Sequence, residues 1–384
     1  MDHRLRDKMN NVEEFMGGEE DSMNKKGFLR KAMVTLLAGV MAVGAAGCGL
    51  KSSQPEAGKE SKTLVVVNWK DYGSDKAEVV KQFEDKYNCK VVHIYMSSEE
   101  ELLTKLRTDG VGKIDVVLPN ASILPVAEKE NLLAPIDTGK LENYQHIADK
   151  FKKLPENSLD GKMYAIPWVW GSTAIAYNSN MIKENVDSIH VLWDEKYKGQ
   201  IGFRDDFNDA VMTAAIALGQ DPHKPSDLKA IKVKLLEQKP LNKTYWKTGD
   251  EWSKLFANNQ IAVGVMWSGQ AALMKKEGQP IKFVIPREGA IGWVDNWAIV
   301  RNAPNTDLAY KFIDFMLSKE FQENWAKSGG PAPVNNLATA ALDPQLVKDN
   351  CMDEASLNKL YFISYQTDDV KKSWNELWQE VKAQ

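Results

Sequence analysis

Short segments rich in β-branched residues alternate with amphipathic segments of helical period early in the chain, and this alternation constrains the fold most. The predicted strands are KTLVVVNW (62–69), CKVVHIYM (89–96) and IDVVLP (114–119). Between them, a capping box of Asp75 and Glu78 predicts one helix, and Ser98 with Glu101 predicts a second that ends at Gly110. A β-α-β-α-β order predicts a parallel sheet with right-handed crossovers.

The same alternation returns in the second half of the chain. Strands are predicted at IGFRDD (201–206), IAVGVMW (261–267) and IKFVIP (281–286). Helices are predicted at 209–218, after Gly269, at 306–327 and at 368–383. Two apolar connectors, IPWVWGSTAIAYN (166–178) and residues 292–300, join the two α/β units. We therefore expect two lobes that the chain crosses more than once.

Composition and missing motifs exclude several classes of protein. The 384 residues suffice for two domains, and a net charge of −4 without a basic stripe argues against a nucleic-acid partner. The sequence has no G-x-S-x-G motif and no G-x-G-x-x-G after a strand, and GVGK (110–113) lacks the Walker A spacing. Its five histidines show no metal-ligand spacing. We expect no enzymatic activity, no metal and no cofactor.

The N-terminal region has the features of an export signal. After Met23, four basic residues precede a short apolar run (32–44), and the following AAGC resembles a bacterial lipoprotein signal, with cleavage before Cys48 and lipidation of its sulfur. We expect residues 1–47 to be an upstream extension plus signal peptide, with Met23 the true start rather than the first residue. Residues 48–61 are polar and predict a tether. The alternative is a buried helix with a core cysteine.

Aromatic and acidic side chains collect at the ends of the predicted strands, where open parallel sheets bind ligands. They are Trp69, Asp71, Tyr72, Asn120, Asp206, Asp209, Trp267, Trp293 and Asp295, and few cations stand among them. A carboxylate beside an indole suits an organic cation, because the ring attracts ammonium by ~0.5–2 kcal/mol. The carboxylate adds a charge-assisted hydrogen bond of about 1.5–3 kcal/mol. Aromatic walls also cover methylenes, so a polyamine would use all three interactions.

Several of these residues also have a purely structural interpretation. Asp206 and Asp209 fit the N-cap and N3 positions of a helix. Alternation places Trp293, Asp295 and Trp297 on one strand face, and a lone tryptophan there is more often a core residue. Because an unpaired buried carboxylate is costly, Asp295 favours a site for Trp293, whereas Trp297 is expected in the core.

Six segments occur in an order that resembles the bacterial spermidine/putrescine-binding proteins, solute receptors of ABC importers. They are NWKDY, IPWVWGSTAIAYN, DDFNDA, GVMWSGQAA, GAIGWVDNWAIV and GGPAPVNN. The resemblance spans about 62–384 and implies a two-lobed α/β fold, the periplasmic-binding-protein fold of type II, with the ligand in the cleft between hinge-connected lobes. Residues 62–170 and 296–340 would form lobe 1, and 171–295 and 341–384 would form lobe 2.

The resemblance also implies individual ligand contacts. They fall on Trp69, Asp71, Tyr72, Asn120, Asp206, Asp209, Trp267, Trp293, Asp295 and Gln366. Asp206 and Asp209 match the acidic pair that binds ammonium groups in the family. Lys70, Asn120, Ser122 and Gly330 depart from the family's residues, so lobe 1 is leaner than usual and the preferred polyamine stays open.

Together these observations predict a monomeric extracytoplasmic receptor, anchored to the membrane by lipid, that binds spermidine or putrescine and delivers it to an ABC permease. A receptor for another organic cation or a neutral sugar is the alternative in the same fold; an enzyme or a structural surface protein is the alternative in another class. Cys89 and Cys351 can pair after export or remain free thiols.

Overall fold

The computed structural model describes residues 62–384. The predictions for residues 1–47, for lipidation of Cys48 and for the tether at 48–61 fall outside the described residues. Among those that are described, no helix is both long enough and apolar enough to cross a membrane.

The strands follow the chain with these bounds: β1 (Lys62–Trp69), β2 (Cys89–Met96), β3 (Val116–Val117), β4 (Leu133–Ala134), β5 (Ser158–Leu159), β6 (Lys162–Met163), β7 (Ala165–Asn178), β8 (Ile201–Arg204), β9 (Asn242–Trp246), β10 (Val263–Trp267), β11 (Ile281–Val284), β12 (Ala290–Val300), β13 (Ala332–Pro333) and β14 (Leu360–Phe362).

The α-helices are α1 (Ala77–Tyr87), α2 (Glu99–Lys105), α3 (Leu124–Lys129), α4 (Asp149–Lys152), α5 (Phe207–Ala217), α6 (Leu228–Gln238), α7 (Gly249–Ala257), α8 (Ser268–Lys276), α9 (Thr306–Leu317), α10 (Lys319–Lys327), α11 (Asn336–Ala340), α12 (Pro344–Asp349), α13 (Glu354–Leu357) and α14 (Asp368–Ala383).

The first α/β unit forms as the sequence predicts. β1 pairs parallel with both β2 and β3. Leu64, Val66 and Val67 of β1 are completely buried, as expected of a strand covered on both faces. α2 begins at Ser98, whose hydroxyl accepts a hydrogen bond from the Glu101 amide, and a π-helical turn carries the chain on to Gly110. The predicted β-α-β-α-β order is confirmed.

The main sheet is mixed, because two long antiparallel strands join its two parallel parts. The strand order is β2-β1-β3-β12-β7-β10-β8-β9. β12 runs antiparallel to β7, with Trp293 opposite Gly171 and Asp295 opposite Val169. The register then shifts between Asp295 and Asn296, which marks a β-bulge. The two connectors predicted from the sequence are thus neighbouring strands at the centre of the sheet.

Apolar side chains divide into two cores, and β7 and β12 contribute to both. The first core includes Leu64, Val66, Trp168, Trp297 and Phe312. The second core includes Tyr177, Phe203, Trp246, Trp252 and Trp378. Trp297 is fully buried, so its predicted core position is confirmed. The exact lobe boundaries stay a prediction.

The expected capping of α1 by Asp75 is wrong. α1 begins at Ala77 without a side-chain cap. Asp75 instead accepts a hydrogen bond from the backbone amide of Asp71 at 2.7 Å, since Asp71 adopts a left-handed conformation (φ 59°). The carboxylate therefore stabilises the turn that follows β1, not the helix.

Two further expectations need correction, and one strand was missed. The helix predicted at 306–327 is two helices, because the Ser318 hydroxyl caps α10 by accepting from the Phe321 amide. β11 pairs antiparallel with β7, so the second unit is not a purely parallel repeat of the first. β9 was not predicted, although it pairs parallel with β8, because NKTYW is too polar to stand out. Cys89 and Cys351 are free thiols.

Candidate functional site

Asp295 lies on β12 just before the bulge and is buried, with 7% of its surface exposed. The Tyr72 hydroxyl donates to its Oδ2 at 2.6 Å. Burial raises the pKa of Asp295 to about 6, although the bond from Tyr72 acts in the opposite direction. No cation lies within ion-pair distance of this carboxylate among the residues 62–384. The carboxylate is oriented by the protein but not neutralised by it.

Tyr72 is held in place by aromatic contacts. Its ring packs edge-on against Trp168, with centroids 5.6 Å apart, and against Trp325 at 6.3 Å. Burial, followed by the charge of Asp295, raises the pKa of Tyr72 well above its usual value. The phenol therefore stays protonated and acts as a fixed hydrogen-bond donor.

Glu99 is a second carboxylate at this place, and sequence reasoning missed it. It is the first residue of α2 and 7% exposed. Its Oε2 accepts from the Asn120 amide at 3.1 Å, while its Oε1 is buried without a hydrogen-bond partner. Asn120 forms an isolated β-bridge with Asp295. We call Tyr72, Glu99 and Asp295 the anionic cluster.

Asn120, a predicted ligand contact, binds the anionic cluster through its backbone, which donates to Glu99 and pairs with Asp295. Its side-chain oxygen accepts from the Ser122 amide at 2.9 Å and from the Ser122 hydroxyl at 2.6 Å. This Asx turn fixes the loop that follows β3. The side chain is used to shape the loop, and a ligand contact by Asn120 stays a prediction.

The acidic pair of the second unit has a cation of its own. Arg204, at the end of β8, donates through Nη1 to Asp209 Oδ2 at 2.6 Å, and its Nη2 lies 3.7 Å from Asp206 Oδ2. The guanidinium also stacks over the Trp267 ring at 4.9 Å. We call Arg204, Asp206, Asp209 and Trp267 the paired cluster. The expectation of few cations at the strand ends is wrong here.

Burial dominates the electrostatics of the paired cluster. Asp209 is 1% exposed, and burial raises its pKa to about 6 although Arg204 acts in the opposite direction. Burial alone would lower the pKa of Arg204, but the carboxylates of Asp209 and Asp206 outweigh it and raise that pKa. Asp206 also caps α5, accepting from the amides of Asn208 and Asp209, so its predicted capping role is confirmed.

Trp293 packs against the strand opposite. A Cβ placed on its partner Gly171 would fall 2.3 Å from Cζ2 of the indole, so only glycine fits there. Ser268 lines the same spot and accepts a hydrogen bond from the Ser172 amide. The indole Nε1 of Trp293 is buried without a partner. The ring is therefore seated on main-chain atoms where β7 and β12 pass from one core to the other.

Three predicted contacts stand apart from both clusters. Trp69 is half-buried at the end of β1. The Asp71 side chain is 72% exposed, with the Lys76 ammonium 3.7 Å away. Gln366 has a buried Oε1 without a partner. The structure brings Tyr72, Asn120 and Asp295 together, and Asp206, Asp209 and Trp267 together, but Trp69, Asp71 and Gln366 form no side-chain hydrogen bond or ion pair with either group.

A separate cavity of about 160 Å³ lies among α1, α9 and α10 and contains none of the predicted contacts. Trp325 lines it and packs on Tyr72 from that side. The cavity therefore lies behind the anionic cluster. Among the described residues no group of His, Cys, Asp and Glu is arranged to hold a metal ion.

Buried carboxylates and aromatic rings near β7 and β12 are suited to binding a solute. Residues 78–352 match the model of a family described as bacterial extracellular solute-binding protein. The chain belongs to this family, whose members are solute receptors rather than enzymes and act outside the cytoplasm.

Individual relatives resemble the chain along most of its length. The spermidine/putrescine-binding periplasmic protein of Salmonella typhimurium is 27% identical over 351 residues, which are 90% of this chain and 97% of that protein. The putrescine-binding periplasmic protein PotF of Escherichia coli is 29% identical, covering 84% of this chain and 92% of its own. A putative spermidine/putrescine ABC transporter structure from Listeria monocytogenes superposes with a TM-score of 0.73 at 31% identity, over 84% of this chain and 99% of that one. The predicted two-lobed solute-binding fold is confirmed by this likeness.

Proposed function

We propose that the protein is a receptor that binds a polyamine between its two lobes and delivers it to an ABC permease. The observation that carries the proposal is the anionic cluster, two buried carboxylates oriented by Tyr72 and Asn120, neither of which forms an ion pair with a cation among residues 62–384. Burying an unpaired charge is costly, so such a site is completed by a positive ligand. The names of the Salmonella and Escherichia relatives support spermidine or putrescine as that ligand.

Aromatic surfaces supply the remaining part of the site. Trp293 and Trp267 offer indole faces that can cover the methylenes between ammonium groups. The charge-assisted hydrogen bonds and the aromatic contacts, less the entropy cost of association, are compatible with roughly micromolar affinity, near −8 kcal/mol. Another organic cation of similar spacing would use the same groups. A neutral sugar would leave the anionic cluster without compensation and is disfavoured.

Transport requires that the solute change the receptor's shape. β7 and β12 pass from one core to the other and would act as the hinges. Residues 62–170 and 296–340 would form one lobe, and residues 171–295 and 341–384 would form the other, as the sequence predicts. A ligand shifts such an equilibrium only if it binds the closed form more tightly, which requires contacts from both lobes. The closed receptor, a monomer held at the membrane through a lipid on Cys48, would then dock on its permease.

Isothermal titration calorimetry on protein that has been unfolded, dialysed and refolded tests this function. Putrescine and spermidine are each expected to bind with micromolar or tighter Kd, more weakly as salt is raised because the contacts are ionic. Glucose is the matched neutral control and should give no heat. Absence of heat from every polyamine, with native mass spectrometry showing no retained ligand, would contradict the proposal.

A further inference from the structure

We infer that Glu99 is a ligand-binding residue, which forms with Asp295 a slot for one primary ammonium group of the solute, and that a proton held in the empty slot leaves when the ammonium enters. The inference rests on the proposed function and deepens it. It assigns a second carboxylate to the amine site and adds a proton exchange to binding.

The geometry fixes one oxygen of Glu99 and leaves the other for a ligand. Oε2 accepts from the Asn120 amide at 3.1 Å, whereas Oε1 is buried with no hydrogen-bond partner. Asn120 in turn pairs with Asp295 through the backbone. The two carboxylates are therefore held near one another from different elements, α2 and β12, and one buried oxygen of Glu99 lacks a donor. Native proteins rarely leave such an acceptor unsatisfied.

The charged groups around Glu99 do not supply that donor. Asp295 faces it from β12, and Tyr72 faces it from the turn after β1 with its hydroxyl already given to Asp295. Lys371 on α14 acts to lower the pKa of Glu99, but its ammonium donates to the Ser122 carbonyl at 3.2 Å and forms no hydrogen bond or ion pair with Glu99. Glu100, its neighbour on α2, adds further negative charge.

Two carboxylates in one buried place cannot both ionise without a cation. Burial, followed by repulsion from Asp295, raises the pKa of Glu99 well above its usual value. A proton on Glu99 relieves this repulsion while no ammonium occupies the slot. In this state the second carboxylate is hidden as a neutral acid.

A primary ammonium can replace that proton because it brings its own charge and three N–H donors. In the exchange the O–H bond of Glu99 breaks, the proton passes to the buffer, and N–H···O bonds form from the ammonium to Glu99 and Asp295. Charge in the slot is conserved, since one proton is exchanged for one ammonium. A secondary ammonium has only two N–H donors, so a terminal nitrogen of the polyamine fits the slot best.

Calorimetry in two buffers tests the exchange. Putrescine is titrated at pH 7 in phosphate and in Tris, whose ionisation enthalpies differ, so that the difference in heat counts protons released. Wild-type protein is expected to release about one proton per putrescine. Glu99→Gln should bind roughly tenfold more weakly and release less than half as many protons, because the titrating group is gone. Glu99→Asp keeps a carboxylate and should restore much of the release.

The matched control is Glu100→Gln, which removes the same charge from the exposed neighbour. It should bind putrescine and release protons as wild type does. Putrescine binding without proton release, or equal release from wild type and Glu99→Gln, overturns the inference while the proposed function stands. Failure of every polyamine to bind overturns both.

A second measurement needs no ligand. A buried acid with a raised pKa stabilises the fold below its unfolded pKa and loses that contribution as pH rises. The Tm of ligand-free Glu99→Gln should therefore rise relative to wild type between pH 5 and pH 8. A Tm difference that is the same at both pH values contradicts a buried, titrating Glu99.

Discussion

The anionic cluster and the paired cluster each contain two carboxylates, and they differ in how that negative charge is balanced. The anionic cluster holds Glu99 and Asp295 with a phenol and a backbone amide, and no cation of the described chain forms an ion pair with either carboxylate. The paired cluster holds Asp206 and Asp209 with the guanidinium of Arg204, itself stacked on an indole. Counting acidic residues in the sequence does not distinguish the two clusters. The structure shows that the capacity of an acidic site to bind a cation depends on whether a neighbouring Lys or Arg already pairs with its carboxylates.

The difference has a consequence for the ligand. The anionic cluster can accept an ammonium directly, whereas in the paired cluster the Asp209 carboxylate is already bonded to Arg204. The paired cluster therefore offers the Asp206 carboxylate, 30% exposed, the Trp267 face and one buried oxygen of Asp209, Oδ1, that has no partner. This predicts one strong ammonium subsite and one weaker one.

The largest expected effect comes from making the same substitution in each cluster. Asp209→Asn should lower the free energy of unfolding by about 3 kcal/mol, because it leaves the mostly buried Arg204 without its short ion pair. Asp295→Asn should raise it by about 1 kcal/mol at pH 7, since it removes a buried charge that has no cation. Urea unfolding of ligand-free protein at pH 7 measures both. Changes of the same sign would show that the two clusters are not electrostatically different.

The second largest effect is on the pH dependence of stability, which putrescine should change for the anionic cluster but not for the paired cluster. The pKa of Asp295 and that of Asp209 are both raised to about 6. Each acid stabilises the fold fully below about pH 4 and loses that contribution as pH rises through 6, a loss of about 3 kcal/mol per group. Saturating putrescine should remove the loss due to Asp295 but not that due to Asp209, which keeps Arg204. Thermal melts from pH 4 to pH 7, with and without putrescine, measure it.

That comparison has a direct control. Asp295→Asn without ligand should show a flatter pH profile than ligand-free wild type, while the contributions of Glu99 and Asp209 remain. If putrescine abolishes the whole pH dependence, the paired cluster also exchanges its partner for ligand, and the contrast drawn here is wrong.

Ligand affinity gives the third effect. Asp295→Ala should weaken putrescine binding by roughly tenfold or more, because the ammonium loses a charge-assisted hydrogen bond in a buried site. Calorimetry measures the change, and Asp85→Ala on the exposed face of α1 is the matched control for a lost surface acid. Unchanged affinity would remove Asp295 from the binding site.

The smallest effect is expected at Asp71. Its side chain is 72% exposed and only loosely paired with Lys76, so Asp71→Asn should change affinity by no more than about twofold. The same calorimetric titration measures it. A tenfold loss would instead place this predicted contact beside the anionic cluster in the ligand-bound form.

Local sequence patterns predicted much of the fold because they report periodic burial. The strands at 62–69 and 89–96 and the connector at 166–178 form within a residue or two of their predicted bounds. β9 was missed because its polar side chains carry no such signal. The break at Ser318 was missed because its neighbours continue the helical pattern, and only the hydroxyl cap reveals it.

The candidate site was predictable only in part. The strand-end rule found Asp295, Tyr72 and Asp209, which lie near the ends or crossings of strands. It missed Glu99, because Glu99 is one of three consecutive acidic residues in the first turn of α2, where acidic residues are common for structural reasons. It missed Arg204 because the pairing with Asp209 joins a strand to a helix face, and composition does not reveal which charges meet. Pairing across elements is a property of the folded chain.

The contact between Trp293 and Gly171 has a mechanical consequence. A ring that rests on the main chain of a neighbouring strand cannot move further toward that strand to admit a thicker molecule. Any adjustment of the gap must then come from rigid-body movement of one half of the receptor toward this fixed surface. Slender aliphatic solutes would permit full approach, whereas branched or ring-bearing ones would hold the halves apart and leave the permease without its docking partner.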